Sequence, residues 1–82
     1  MHAWLRDVAD RLSEETKLPR AELELAPAEI ERLLDVAGLA AHESGARTNA
    51  PLTCYLLGLA RGRSGAGLEE LVDAAGRSPS NE

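Results

Sequence analysis

The clearest helix of the chain is predicted for residues 27–43, which read PAEIERLLDVAGLAAHE. Pro27 suits the first helical position, where a backbone N–H is not needed, and Ser44-Gly45 ends the pattern. On a wheel of about 100° per residue, one continuous apolar face is formed by Ile30, Leu33, Leu34, Ala37 and Ala41. This pattern predicts an amphipathic helix that packs one side against other helices.

Three more helices are predicted around this one. Apolar residues at three- and four-residue spacing predict a first helix over 3–16, and residues 17–26 are expected to form an ordered connection. Pro51 at a first helical position, with Thr48 or Asn49 as a cap, predicts a third helix to about Arg61. The glycines of 62–67 predict a flexible link to a short fourth helix that ends at Gly76.

Composition agrees with an all-α fold. The 82 residues include fourteen Leu and fourteen Ala but no Phe, a bias towards helix-forming side chains. We therefore expect a small, four-helix bundle-like single domain over residues 1–76 and a flexible C-terminal tail over 77–82. No apolar run is long enough for a membrane span.

The charge and cysteine content narrow the function classes. A net charge of -5 disfavours nucleic acid and anionic lipid as partners, so neither is expected, and a helix-turn-helix DNA reader is disfavoured too. The single cysteine, Cys54, cannot form an internal disulfide and is expected to be a small buried side chain. Without a secretion signal at the N-terminus, the cytoplasm is the expected compartment.

The third helix is apolar almost all round. Leu52, Leu56 and Leu59 face one way, whereas Leu57, Cys54 and Gly58 face the other. Such a helix is either the centre of the domain or a surface for a partner. Because glycine inside a helix costs about 1 kcal/mol relative to alanine, Gly58 indicates a close approach of another helix or partner. Leu57 and Gly58 are therefore candidate interaction residues.

The second helix carries a polar stripe that includes Glu31, Asp35, Leu39 and His42. Asp35 and Leu39 are further candidates for an interaction surface. Glu31, Asp35 and His42 are candidates for a metal or acid–base cluster, but their spacing matches no established zinc site and no nucleophile or cofactor motif accompanies them. We therefore expect no metal, no cofactor and no catalytic residue, and an enzyme based on Asp35 and His42 is disfavoured.

A basic segment lies between Glu43 and Glu69, where the only charges are Arg47, Arg61 and Arg63. Arg47 immediately precedes the third helix, whose N-terminal N–H groups favour anions. With Thr48 and His42, it defines a candidate site for a small anion or nucleotide. A salt bridge from Arg47 to Asp35 or Glu43 is the equally favoured structural alternative.

A family resemblance suggests the biological process in which the protein takes part. It lies in Leu33-Leu34-Asp35, Ala37, Ala41-His42, Arg47, Ala50-Pro51-Leu52-Thr53 and Gly58-Leu59-Ala60. The chain, from Trp4 to about Gly76, resembles an uncharacterised small helical domain that occurs alone or fused to molybdenum-cofactor guanylyltransferase. The resemblance implies a link to molybdenum cofactor biosynthesis but supplies no catalytic residues, and the chain has no nucleotidyltransferase domain of its own.

Two hypotheses follow. The leading one is an accessory module that docks on a larger cytoplasmic protein, with a molybdenum-cofactor guanylyltransferase as the partner that the resemblance implies. The alternative is a small-anion or nucleotide-binding domain that uses Arg47 and the N-terminus of the third helix. A homo-oligomer is compatible with either hypothesis.

Overall fold

The computed structural model describes residues 1–76, which contain four α-helices and one short 3-10 helix but no strand. The helices are α1 (Ala3–Thr16), the 3-10 helix (Arg20–Leu23), α2 (Pro27–Ser44), α3 (Asn49–Ser64) and α4 (Leu68–Ala75). The predicted all-α class is confirmed. The tail predicted for 77–82 lies outside the described residues.

The contacts divide the chain into two compact units, Met1–Ile30 and Glu31–Glu82. The boundary between them falls inside α2, one turn after Pro27. The single domain expected over residues 1–76 stays a prediction.

The first unit is organised around α1 and the connection that follows it. Nδ1 of His2 accepts the N–H of Trp4 at 3.1 Å, and Lys17 ends the helix in the left-handed region at φ 65°. Arg20 then fixes the connection: its Nε donates to Asp10 at 2.6 Å and its Nη1 to Glu24 at 2.7 Å. The hydrogen bond to Asp10 raises the pKa of Arg20, although partial desolvation opposes this effect.

The second unit has a small core to which each of three helices contributes one buried residue. These are Val36 of α2, Leu57 of α3 and Val72 of α4, with Leu33, Leu68 and Leu71 packed around them. The core-facing side of α2 therefore differs from the predicted one. Val36 is buried, whereas Leu34 is 67% exposed, because the neighbouring helices contact the side of α2 that bears Leu33 and Val36.

The predicted ends of α3 are wrong at both termini. The helix begins at Asn49, two residues before Pro51, and continues through Gly62 to Ser64. The hydroxyl of Ser64 donates to the carbonyl of Ala60 at 2.7 Å, and Gly65 stops the helix at φ 76°. The flexible link expected over 62–67 is thus reduced to residues 65–67.

The short helix α4 is fixed at its start and along its side. The N–H of Gly67 donates to the carboxylate of Glu70 at 3.0 Å, which satisfies one backbone donor next to the first turn. Arg32 of α2 donates through Nε to Glu69 at 3.1 Å and through Nη2 to Asp73 at 3.3 Å. These contacts join α2 to α4 beside the buried Val36 and Val72.

Candidate interaction surface

Four large apolar side chains of α3 point into solvent. They are Leu52, Tyr55, Leu56 and Leu59, which are 59%, 67%, 63% and 39% exposed. Their spacing of three, one and three residues places them on one side of the helix. We call this set the α3 stripe.

The opposite side of α3 faces the core. Leu57 is buried in the cluster with Val36 and Val72, and Cys54 is half-buried on the same side. The division of α3 into two apolar sides agrees with the sequence prediction. The predicted role of Leu57 as a docking residue does not agree with the structure, because this side chain is already enclosed by the chain's own core. The outward side, which carries the α3 stripe, is the free one.

Gly58 lies next to the α3 stripe and is exposed. A Cβ atom built on it would meet nothing within 4 Å, and the same holds for Gly62 one turn later. The close helix approach that Gly58 suggests is therefore not made within the described part of the chain. The backbone of α3 is open to an external partner at this point.

The charge beside the α3 stripe is positive. Residues 44–68 contain no carboxylate, and Arg63 follows Leu59 by four residues, so it extends the stripe at its C-terminal end. Arg63 forms no ion pair with any residue between 1 and 76. Its exposed guanidinium can thus serve as a partner for a carboxylate brought by another molecule.

The N-terminus of α3 offers an anion fewer backbone donors than most helix N-termini do. The N–H of Asn49 donates to the carbonyl of Ala46 and that of Ala50 to the carbonyl of Arg47, both at 3.1 Å, and Pro51 has no N–H. Thr48 makes no side-chain cap. Two of the N–H groups in the first turn of α3 are therefore already used and a third is missing, which leaves fewer backbone donors for a bound anion than an ordinary helix N-terminus offers.

The three residues of the candidate anion site are all exposed. Among residues 1–76, the side chains of His42, Arg47 and Thr48 have no hydrogen bond that joins them. The alternative salt bridge from Arg47 to Asp35 or Glu43 is also not formed within the described residues. The structure thus gives these residues neither a shared site nor the expected ion pair.

Asp35 and Leu39 border a surface cavity of about 220 Å³ between α2 and α4. Its lining consists of Arg32, Asp35, Val36, Leu39, Val72, Asp73 and Gly76. The sequence could not reveal this cavity, because three of its seven lining residues come from α4 and the residue that follows it. Leu39 packs towards the end of α4, since its Cδ2 atom lies 3.4 Å from a Cβ built on Gly76.

The polar stripe of α2 does not assemble a metal-binding group. In the described part of the chain, no three His, Cys, Asp or Glu side chains lie close enough to share a metal ion, and Glu31, Asp35 and His42 are included in that finding. His42 does not line the cavity beside Asp35. These residues lie on an exposed surface, as does most of the helix around them.

No helix within residues 1–76 is both long and apolar enough to cross a membrane. Comparison of the chain with curated proteins and with solved structures gives no match. A family model described as "Domain of unknown function (DUF6457)" matches residues 1–80. This match agrees with the expected uncharacterised small domain, and it covers nearly the whole chain. The protein therefore belongs to the DUF6457 family.

Proposed function

We propose that the protein is an interaction module that docks on a larger protein through the α3 stripe. The observation that carries this proposal is the exposure of Leu52, Tyr55, Leu56 and Leu59 on one side of a helix whose other side is already packed. The proposed partner element is an amphipathic helix with an apolar face and a carboxylate at one end of that face.

The size of the α3 stripe supports docking. With side chains of ordinary size, the four residues expose roughly 450 Å² of surface, a contiguous patch comparable with functional apolar patches. Covering it contributes about 10 kcal/mol of transfer free energy before association costs of about 4–15 kcal/mol are subtracted. A reversible complex of moderate affinity is expected.

The charge next to the α3 stripe supports the choice of partner chemistry. Arg63 lies one turn beyond Leu59, and the nearest carboxylates along the chain are Glu43 and Glu69. A partner carboxylate placed at this end meets a guanidinium and no competing carboxylate from residues 44–68. The binding constant should therefore fall as salt concentration rises.

The resemblance supplies the first partner to try. It links the domain to molybdenum-cofactor guanylyltransferase, and we propose that this enzyme carries the partner helix. In this proposal the module contributes binding and the enzyme contributes guanylyl transfer. The anion-binding alternative has less support, because the N–H groups of Asn49 and Ala50 already donate to backbone carbonyls and Pro51 has none.

The test is titration calorimetry of the full 82-residue chain with a purified molybdenum-cofactor guanylyltransferase. Leu56→Ser is the test variant, and Leu34→Ser is its matched control, since both leucines are about two-thirds exposed but lie on different helices. Binding that is lost in Leu56→Ser and kept in Leu34→Ser supports docking through the α3 stripe. Binding unaffected by Leu56→Ser overturns the stripe as the docking surface, and no binding overturns this enzyme as the partner.

A further inference from the structure

We infer that the α3 stripe also binds the α3 stripe of a second copy of this chain, in an antiparallel dimer that hides the docking surface. The dimer itself follows from the stripe's own geometry and charge. Its regulatory consequence, competition between self-association and docking, rests on the proposed function. The monomer is then the form that can dock, whereas the dimer must dissociate before its docking surface is exposed.

The spacing of the α3 stripe is the same when read in either direction. From Leu52 the steps are three, one and three residues, and from Leu59 backwards they are again three, one and three. Two antiparallel copies related by a two-fold axis therefore place Leu52 opposite Leu59 of the second copy and Tyr55 opposite its Leu56. Each apolar side chain meets an apolar side chain, which is the self-complementarity that a two-fold interface requires.

The antiparallel arrangement brings fewer like charges together than the parallel one. Residues 48–60 carry no charge, so the centre of the interface contains no repulsive pair. In a parallel pair the two Arg63 side chains would lie side by side. In the antiparallel pair they lie roughly 22 Å apart along the helix axis, well beyond the screening distance at moderate salt, and each lies instead near Arg47 of the second copy. Antiparallel helix dipoles also attract each other.

The apolar area available to the two α3 stripes is typical of a weak dimer. Two α3 stripes together expose roughly 900 Å², and with the exposed Pro51 and Gly58 beside them the most that the pair can bury is about the lower limit of specific complexes. The open backbone at Gly58 and Gly62 lets a second helix come close, since no side chain fills the space above them. Self-association is therefore expected at concentrations well above those of tight complexes, which keeps it reversible.

Self-association and docking should respond to salt in opposite directions. Each chain carries a net charge of -5, and the closest charged approach in the dimer is between Arg63 and Arg47 of the second copy, so both long-range and local terms are repulsive. Added salt screens this repulsion and strengthens the dimer. Docking on a carboxylate-bearing partner has the opposite dependence.

The first test is analytical ultracentrifugation of the full chain from about 10 µM to about 1 mM, at low and at high salt. We expect a monomer that becomes a dimer as concentration and salt rise, with a dissociation constant at least tenfold weaker in Leu56→Ser and unchanged in Leu34→Ser. A monomer over the whole range overturns the dimer and leaves the docking titration unaffected. A dimer that Leu56→Ser does not weaken overturns the α3 stripe as its interface.

A disulfide test fixes the direction of the pair. In a Cys54→Ser background, Leu56→Cys should give a disulfide-linked dimer with oxidised glutathione, because the two positions lie next to the proposed axis. Leu52→Cys should not, since the two copies of that residue are about 10 Å apart along the axis, but the Leu52→Cys, Leu59→Cys double variant should. Efficient crosslinking of Leu52→Cys alone overturns the antiparallel arrangement.

Discussion

Leu56 and Leu57 are neighbours in the chain but lie on opposite sides of α3, where Leu56 is 63% exposed and Leu57 is 6% exposed. One of them belongs to the α3 stripe and the other to the core with Val36 and Val72. The same residue type thus has two roles one peptide bond apart. This contrast allows stability and binding to be tested separately.

Because Leu57 lies in the core, we expect Leu57→Ala to cause a large loss of stability. Removing a buried leucine side chain leaves a cavity in a core that has three buried members among residues 31–76, so we expect a loss of about 2–4 kcal/mol. Leu56→Ala should change the free energy of unfolding by less than about 0.5 kcal/mol. Urea unfolding followed by circular dichroism measures both values, and equal losses in the two variants would show that the assignment of the two sides is wrong.

Gly58→Ala should stabilise the free chain. A Cβ at this position meets nothing within 4 Å, so only the helix propensity changes, with a gain of about 0.5–1 kcal/mol. The same methyl group narrows the approach to α3 and should weaken both docking and self-association.

Gly38→Ala in α2 is the matched control for Gly58→Ala. Its Cβ also meets open space, so it should raise the melting temperature without affecting either complex. Gly65→Ala should destabilise instead, because that residue has φ 76°. A Gly58→Ala chain that is less stable than the unmodified chain would contradict the open surface at this point.

Arg32→Met should cause only a small, salt-dependent loss of stability. Arg32 reaches Glu69 and Asp73 at 3.1 and 3.3 Å, but both carboxylates are largely exposed, so we expect a loss of up to about 1 kcal/mol at low salt. The loss should shrink in high salt. Arg11→Met, which removes an exposed arginine without a described ion pair, is the control. A loss that is independent of salt would indicate packing of the Arg32 stem as the cause.

Guanine nucleotides and inorganic phosphate should leave the melting temperature unchanged. In the first turn of α3, the N–H groups of Asn49 and Ala50 donate to Ala46 and Arg47 and Pro51 has no N–H, so few backbone donors are left for an anion. Thermal unfolding monitored by circular dichroism, with and without GTP, tests this expectation. A rise with GTP that disappears in Arg47→Ala would favour the anion-binding alternative.

Local signals predicted several helix ends well. Pro27 opens α2, α1 has the predicted bounds, and Gly76 follows the last residue of α4, because prolines and glycines act within one or two residues. The end of α3 was predicted too early. Gly62 resembles a stop signal, but the helix passes through it and ends only at Gly65, whose left-handed conformation supplies the stop.

The candidate surface was predictable only in part. The sequence separates Leu52, Leu56 and Leu59 from Leu57, but two apolar sides of one helix cannot be ranked without knowing what contacts each. The choice is made by Val36 and Val72, which lie in other helices and cover Leu57. For the same reason the wheel of α2 could not show that Leu34 points outwards and Val36 inwards.

Helix α4 has only eight residues, fewer than the number that keeps an isolated helix folded in water. Its helical state therefore depends on the place that Val36 and Leu57 provide for Val72. Amide protons of α4 should exchange with solvent only as fast as this core opens. Their exchange rates therefore measure the free energy of opening of the second unit. A chain cut at Gly65 would leave Val36 and Leu57 partly uncovered, so the shortest helix sets the minimum length at which the unit can fold.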